Sequence, residues 1–408
     1  MSDARSSGRT DASIRDLFAI QYANFWRLWF VGLAFSIVRW LETVAVGIVV
    51  YERTGSAFTV AMMTMLRMLP MGLFGAFLGA WAERVERRAS LIGMVLVAGT
   101  NSALLTALAY SDRLEVWHLG VACFISGLGW ATDNPVRRVM IGDAVGPHRM
   151  GMAMSLDVGV GNASRMVGPT VSGLLLAAFG IVGAFAACVV LYCLALIAAW
   201  QVRYRNSEPV GGGSVIARIA DGLRMVRGDA RLMGTLVVTI IYNVFGFPLT
   251  SMIPVIGRDR LNLGPEGIGI LTSMDGVGAF TGAVLVAMCV RPAWYGKVYV
   301  CGVLTSITML SVFALVPGPE WAGLSLICNG LGGAGFATMQ ATLVYLASPP
   351  EMRSRILGVL SVCIGSAPIG FFCVGLLADA IGAPWATAAT GAAGLLAMAA
   401  TWRMWRSI

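Results

Sequence analysis

Gly79-Ala80-Trp81-Ala82-Glu83-Arg84-Val85-Glu86-Arg87-Arg88 is a short burst of charge set between two long apolar runs. From Phe58 to Ala82 the only charge is Arg67, and from Ala89 to Tyr110 there is none. A charged turn fitted so tightly between two membrane-length segments reads as a transmembrane hairpin. Acids mixed with the bases suggest that its loop has a task beyond anchoring, because basic residues alone would hold it on one side of the membrane.

The same pattern extends along all 408 residues, of which 57% are hydrophobic and only 12% charged. A soluble chain carries about 25% charged residues. Apolar runs long enough to span a bilayer recur throughout, and in lipid such runs must be helical to pair their own backbone groups. The expected fold class is an all-α polytopic membrane protein. Its twelve spans run roughly over 27–50, 57–81, 90–110, 116–135, 151–175, 181–201, 231–253, 266–290, 296–316, 321–346, 355–378 and 384–402.

One long hydrophilic stretch interrupts them, from Arg203 to Arg231. It holds Gly211-Gly212-Gly213 and an amphipathic run, Val215 to Val226, suited to lying on a membrane surface. The expected organisation is therefore a tail (1–26), a six-helix bundle (27–202), a linker (203–230), a second bundle (231–402) and a short tail (403–408). A faint repeat supports two parallel halves. Pro147, Gly173 and Gly180 recur at one fixed offset as Pro349, Gly375 and Gly382.

Arginine placement orients the chain. With the first 26 residues in the cytoplasm, only Arg53, Arg113, Arg258 and Arg260 fall outside. Arg39, Arg67 and Arg165 sit within spans, and the rest of the 29 Lys and Arg lie inside. This bias implies an inner membrane protein with both termini cytoplasmic. It also disposes of nucleic acid as the reason for the net charge of +8, because the bases sit in short loops. The eight cysteines all lie in apolar segments without a CxxC pair, and with two histidines no metal cluster is expected. The thiols are read as buried and inert.

Five ionisable residues lie deep in spans: Arg39, Glu42, Arg67, Arg165 and Asp275. Counted from the cytoplasmic helix ends, they sit about 18–22 Å deep at 1.5 Å per residue. A charge there costs about 2.5–3.5 kcal/mol even on the lenient insertion scale, so these residues pair or line a wet cavity. Arg39 and Glu42 are one helical turn apart, and Glu42 and Arg67 share a depth on adjacent helices. Either Glu42 or Asp275 takes up a proton, or both are static partners of arginines; the sequence favours neither. Asp133 and Asp157 lie nearer helix ends, where solvated or capping roles are expected. Gly330-Leu331-Gly332-Gly333-Ala334-Gly335 fits a dinucleotide fingerprint, but its place inside a span assigns it to helix packing.

The run from Gly79 resembles the loop signature of the major facilitator superfamily between its second and third helices, with Glu83 in place of the usual Asp. Tyr51-Glu52-Arg53-Thr54-Gly55-Ser56, Asp133-Asn134-Pro135 with Arg137, Ala163-Ser164-Arg165-Met166-Val167-Gly168-Pro169 and Asp221-Gly222-Leu223-Arg224-Met225-Val226 are similar to segments of its bacterial enterobactin- and macrolide-efflux branch. The resemblance implies two six-helix bundles that rock around a central site, with the fifth and eighth helices meeting across the interface, where Arg165 and Asp275 are expected to bridge the halves. Gly79, Glu83, Arg84, Arg87 and Arg88 then form a gating loop that clasps the halves on the cytoplasmic side. Gly168, Pro169 and Gly173 resemble the fifth-helix signature of antiporters. Helices one, four, seven and ten line the cavity, with Trp40, Glu42, Trp130, Tyr242, Asn243, Asn329 and Gln340 as substrate contacts. Many proton-coupled members carry an arginine where Cys123 stands here, so Arg39 or Arg67 would have to replace it.

The function implied is secondary transport, proton-coupled efflux of a small amphipathic organic solute by a monomeric inner-membrane carrier. No bound cofactor or metal is expected, and the proton is the coupling ion. Uptake or lysophospholipid translocation is the alternative within transport, and a non-transporting sensor or scaffold the alternative outside it. No nucleophile–base set or ATP-binding loop points to an enzyme.

Overall fold

Every apolar run forms helix, the one open-ended structure that satisfies its own backbone in lipid. The computed structural model describes residues 22–82, 86–204, 223–349, 352–406 and 408. In chain order the helices are α1 (Ala23–Thr54), α2 (Ala57–Ala82), α3 (Arg87–Tyr110) and α4 (Val116–Val145). Met150–Trp200 is divided at Gly180 into α5 (150–179) and α6 (181–200). Then follow α7 (Ala230–Asp259), α8 (Pro265–Cys289), α9 (Tyr295–Leu315) and α10 (Pro319–Ala347). Next come α11, in the pieces Arg353–Ile364 and Ala367–Ile381, and α12 (Ala383–Ala400), followed by one short turn of helix at Trp402–Trp405. Among the described residues eight helices, with Met150–Trp200 counted once, are long and apolar enough to cross a membrane. There is no strand among the described residues.

The surface is that of a membrane protein. Large apolar side chains such as Leu104, Phe179, Met288 and Leu396 are exposed around the bundle. Tyr110, Trp117, Trp321 and Trp385 are exposed at one end of the helices, and Trp200, Trp294 and Trp402 at the other. Amphipathic rings at both ends match the two interfaces of a bilayer. Cys193, Cys289, Cys301 and Cys373 are exposed on this surface too, which corrects the expectation that all the thiols are buried. Apolar positions of a span face lipid as readily as protein.

The repeat seen in the sequence has a structural meaning. Gly180 and Gly382 both adopt positive φ, 63° and 84°, in the turns after α5 and α11, a conformation that disfavours a side chain. Gly173 packs α5 onto the start of α8, where a Cβ would overlap the Pro265 carbonyl. Gly375 packs α11 onto the start of α2, where a Cβ would come within 3.1 Å of the Phe58 Cα. The same glycine thus performs the same task in each half, against the other half.

The two ends of the bundle differ. At the end holding the α1–α2, α7–α8 and α11–α12 turns, one apolar cluster joins both halves, from Val46, Val50 and Val60 to Leu249, Ile253, Leu271 and Val374. At the opposite end the clusters are separate. Phe25, Leu28, Leu91, Val95 and Met140 belong to the first half, Val238, Tyr299 and Met398 to the second, and Val226, Leu232 and Ile356 form a further second-half group. The polar links follow suit. Tyr51 donates to Asp259, Ser56 Oγ donates to Asp379 Oδ2 at 2.8 Å, and the Phe58 amide donates to Asp379 Oδ1 at 3.0 Å. At the other end Arg87 pairs with Asp143, Arg137 with Asp133, and Arg88 donates to the Trp200 carbonyl, all within the first half.

Candidate transport site

Two adjoining cavities, of about 320 and 190 Å³, lie between the halves and share Arg39, Met68, Arg165 and Phe247. The walls come from α1, α2, α5, α7, α8 and α11 as much as from α4 and α10. This differs from the expected lining by helices one, four, seven and ten. The cavity sits near mid-height, where the interface helices α2, α5, α8 and α11 cross and turn their own side chains inward.

All five intramembrane charges gather here, as their equal depths anticipated. Arg165 on α5 donates from Nε and Nη2 to Asp275 Oδ2 on α8, at 3.0 and 2.6 Å. Gly276 makes the approach possible, since a Cβ there would overlap the Arg165 carbonyl. Asn329 on α10 donates to the other carboxylate oxygen, Oδ1, at 2.7 Å. Thr170 adds a second link between α5 and α8, its amide and hydroxyl bonding Ser273 Oγ at 3.0 and 2.7 Å.

Glu42 on α1 is only 3% exposed and is fully engaged. Arg67 lies 3.4 Å from its Oε2, Ser126 donates to Oε2 at 2.9 Å, and Ser102 donates to Oε1 at 3.1 Å. Glu42 therefore pairs across helices with Arg67 and not along α1 with Arg39, because Arg39 turns to the aromatic rings instead. Its guanidinium carbon stands 4.0 Å from the Trp130 ring centre and 5.8 Å from that of Trp40. Arg67 Nη2 also reaches Cys123 Sγ at 3.6 Å. The guanidinium at this spot thus comes from α2, beside the α4 position where the family resemblance led us to look for an arginine.

The other anticipated contacts divide. Trp40 lines the larger cavity, and Trp130, Tyr242 and Asn243 the smaller. Asn329 and Gln340 are in neither wall. Asn329 is bonded to Asp275 and Ser306, and Gln340 donates to Thr239 Oγ1 at 3.1 Å. Polar groups buried in a span find protein partners first. Gly168, Pro169 and Gly173 lie on the face of α5 turned to α1 and α8, and a Cβ on Gly168 would meet the Trp40 Cβ at 2.7 Å. Gly330 and Gly332 in the fingerprint-like run press against α8 and α9, as expected of packing glycines.

Two features escaped the sequence reading. In α7 the helix widens to a π turn at Tyr242–Gly246 and then tightens at Phe247–Met252, beside the cavity. Such irregular turns concentrate at functional sites, and Asn243 Nδ2 helps to satisfy the local backbone by donating to the Thr239 carbonyl at 2.9 Å. The neighbouring Pro248 and Pro254 were the available signal. The second feature is an ion network at the end of the first half opposite the joined cluster. Arg137 donates to Asp133 at 3.0 Å and to Asp157, and Arg138 donates to Asp157 at 3.2 Å. Asp133 and Asp157 are buried here, which corrects their expected solvated or capping roles. Because these charges neutralise one another, α4 runs on to Val145 instead of ending near 135.

Of the gating loop, Gly79 falls in the last part of α2, and Glu83 and Arg84 lie outside the described residues. Arg87 bonds Asp143 at 3.3 Å and Tyr204, and Arg88 donates to the Trp200 carbonyl at 2.8 Å. These contacts remain within the first half. Burial first, and then its bond to Asp143, holds the Tyr204 phenol above its ordinary pKa.

Solved structures share this fold. A bacterial homologue of the human lysosomal transporter Spinster, in an inward-facing and unoccupied conformation, superposes with a TM-score of 0.73 at 14% identity, covering 95% of this chain and 97% of that one. The nucleoside transporter NupG superposes with a TM-score of 0.75 at 11% identity, covering 93% and 99%. By sequence the chain is 24% identical to macrolide efflux protein A of Streptococcus pyogenes, over 88% of this chain and 90% of the relative. It is 24% identical to the multidrug efflux pump Tap of Mycolicibacterium fortuitum, over 86% and 88%. It is 20% identical to the staphyloferrin A transporter of Staphylococcus aureus, over 84% and 87%. The family described as transmembrane secretion effector matches residues 17–406. With a helical bundle faced for lipid and a charged cavity between its halves, the chain belongs to this transmembrane secretion effector family of the major facilitator superfamily and is a multi-pass membrane transporter, not an enzyme.

Proposed function

We propose that the protein exports a small amphipathic organic solute from the bacterial cytoplasm by alternating access, driven by protons. The observation that carries this reading is the asymmetry of the bundle around its cavity. One apolar cluster and the Asp379 and Asp259 links join the halves at one end, whereas the clusters at the other end are separate. The arginine bias puts the N-terminus, and so the separated end, in the cytoplasm. The structure is then the inward-facing state, ready to load from inside. Its twelve spans form two six-helix halves, 27–202 and 231–402, with the linker and both tails cytoplasmic and the chain acting as a monomer.

Each candidate residue has a part in this cycle. The gating loop at Gly79, Glu83, Arg84, Arg87 and Arg88 clasps the halves in the outward-facing state. Arg87 bonds Asp143 and Arg88 donates to the Trp200 carbonyl, contacts that the outward-facing clasp would have to rearrange. Glu42 or Asp275 takes the proton. Protonation would weaken the Arg67 or Arg165 contact, and a change at Arg165–Asp275 would loosen α5 from α8 across the interface. The solute lies between Trp40, Trp130, Tyr242 and Asn243. Similarity to a macrolide efflux protein and a multidrug efflux pump supports export of such a solute.

A deletion strain screened against toxic compounds, with its secreted metabolites compared to the parent, tests the assignment and identifies the solute. Export predicts hypersensitivity to at least one compound or loss of one secreted metabolite, restored by the intact gene. An unchanged profile on both counts contradicts it.

A further inference from the structure

Three guanidinium groups and two carboxylates meet at the central cavity, and the carboxylates are spoken for. Glu42 accepts from Arg67, Ser102 and Ser126, and Asp275 from Arg165 and Asn329. Both are buried, 3% and 4% exposed, although Asp275 still borders the larger cavity. Arg39 is the remaining charge. Among the described residues no carboxylate lies within ion-pair distance of it, and the contacts of its guanidinium are the Trp130 and Trp40 rings. Arg39 lines both cavities.

We propose that Arg39 receives the anionic head of the transported solute, so that the cargo is an amphipathic organic anion, a carboxylate carried on an apolar body. This rests on the reading of the protein as a carrier with its solute in the central cavity. The chemistry is direct. A ring against the face of a guanidinium leaves its N–H edge free, and that planar fork matches a carboxylate in a two-point bond. A lone charge at this depth is costly. An occupant of opposite sign removes that cost, whereas a cationic occupant adds repulsion. Arg165, with 26% of its side chain exposed and also facing Trp40 at 5.8 Å, strengthens the positive field on the same side. Met68, Phe247 and Phe336 provide apolar wall for the body of the solute. Hydroxyls of Thr43, Thr64, Thr250 and Thr272 in the larger cavity can meet polar groups on the body, and the Arg39 charge supplies the orientation of the head.

The test uses the full-length protein in phosphatidylcholine nanodiscs, with two probes of one body and opposite head: 4-(pyren-1-yl)butyrate and 4-(pyren-1-yl)butylammonium. Saturable binding is read by fluorescence anisotropy after subtraction of empty nanodiscs. The carboxylate should bind roughly ten- to a hundredfold more tightly, the range of a charge-assisted hydrogen bond. Arg39→Gln should abolish the preference, and Arg39→Lys should keep part of it, which serves should the Gln variant fail to fold. Equal or tighter binding of the ammonium probe, no saturable binding of either, or a full preference retained in Arg39→Gln overturns the proposal. Proteoliposome flux of the same probes separates this from the carrier reading. Selective carboxylate binding without flux keeps the anion site and removes transport, whereas flux of the ammonium probe alone keeps transport and overturns the anion site.

Discussion

Arg165 and Asp275 place opposite charges on the two helices that hold the halves together, and little else at that height links α5 to α8 so strongly. Removing one partner strands the other in a low-dielectric site. Arg165→Ala should cost about 3–5 kcal/mol, the usual penalty for a broken buried pair. Thermal unfolding in detergent checks this. Arg165→Ala combined with Asp275→Asn should be less destabilised than the sum of the single variants, since no unpaired charge then remains. Additivity would show that the two side chains do not act as a pair. The existence of the charge cluster was legible in the sequence, because five ionisable residues at one depth have few ways to avoid lipid. Its wiring was not. Glu42 has an arginine within reach on its own helix and another on α2, and only the turn of Arg39 toward Trp130 decides between them. Asp133 and Asp157 misled for a related reason. Their partners Arg137 and Arg138 read as loop bases: the Asp133–Arg137 pair, one turn apart on α4, shows only once that helix is known to continue, and the pairing of both arginines with Asp157 on α5 leaves no local mark.

Packing glycines and carboxylate links control the helices as units. Gly276 lets α8 lie against the α5 backbone, so Gly276→Val should lower the unfolding temperature, with a cost of about 1–3 kcal/mol typical of overpacking. The same substitution at Gly93, which has open space around it, should be nearly neutral. Differential scanning fluorimetry of the two variants makes the comparison. Asp379 joins α11 to the first turn of α2 by accepting from Ser56 and the Phe58 amide, favourable charge at a helix N-terminus. Asp379→Asn weakens that link and should shift the population toward a state open at this end. Spin labels at Arg113 and Trp321, in a background lacking the four exposed cysteines, would report it as a longer distance component. An unchanged distribution would assign Asp379 to local capping alone. At this scale most of the fold could be read beforehand, because membrane helices declare themselves by length and apolarity. The π turn of α7 was hinted at only by the nearby Pro248 and Pro254, since Tyr242–Gly246 itself looks like any apolar helix, and it packs closely against Gly370 and Ile307.

For the whole molecule, the repeated glycines Gly173 and Gly375 and the turns at Gly180 and Gly382 describe two halves related by a common plan. Alternating access follows if the joined end and the separated end exchange roles around the Arg39 cavity. Membership of the superfamily was recoverable from the loop at Gly79 and the segments around it. The state of the carrier was not, because one sequence encodes both. The central claim is that this exchange moves solute outward at the expense of protons. Everted membrane vesicles from cells with and without the gene, energised by respiration and given 4-(pyren-1-yl)butyrate, test it directly. The account predicts gene-dependent accumulation inside the vesicles that collapses when an uncoupler is added. Accumulation equal in both vesicle types, or unaffected by the uncoupler, would contradict it.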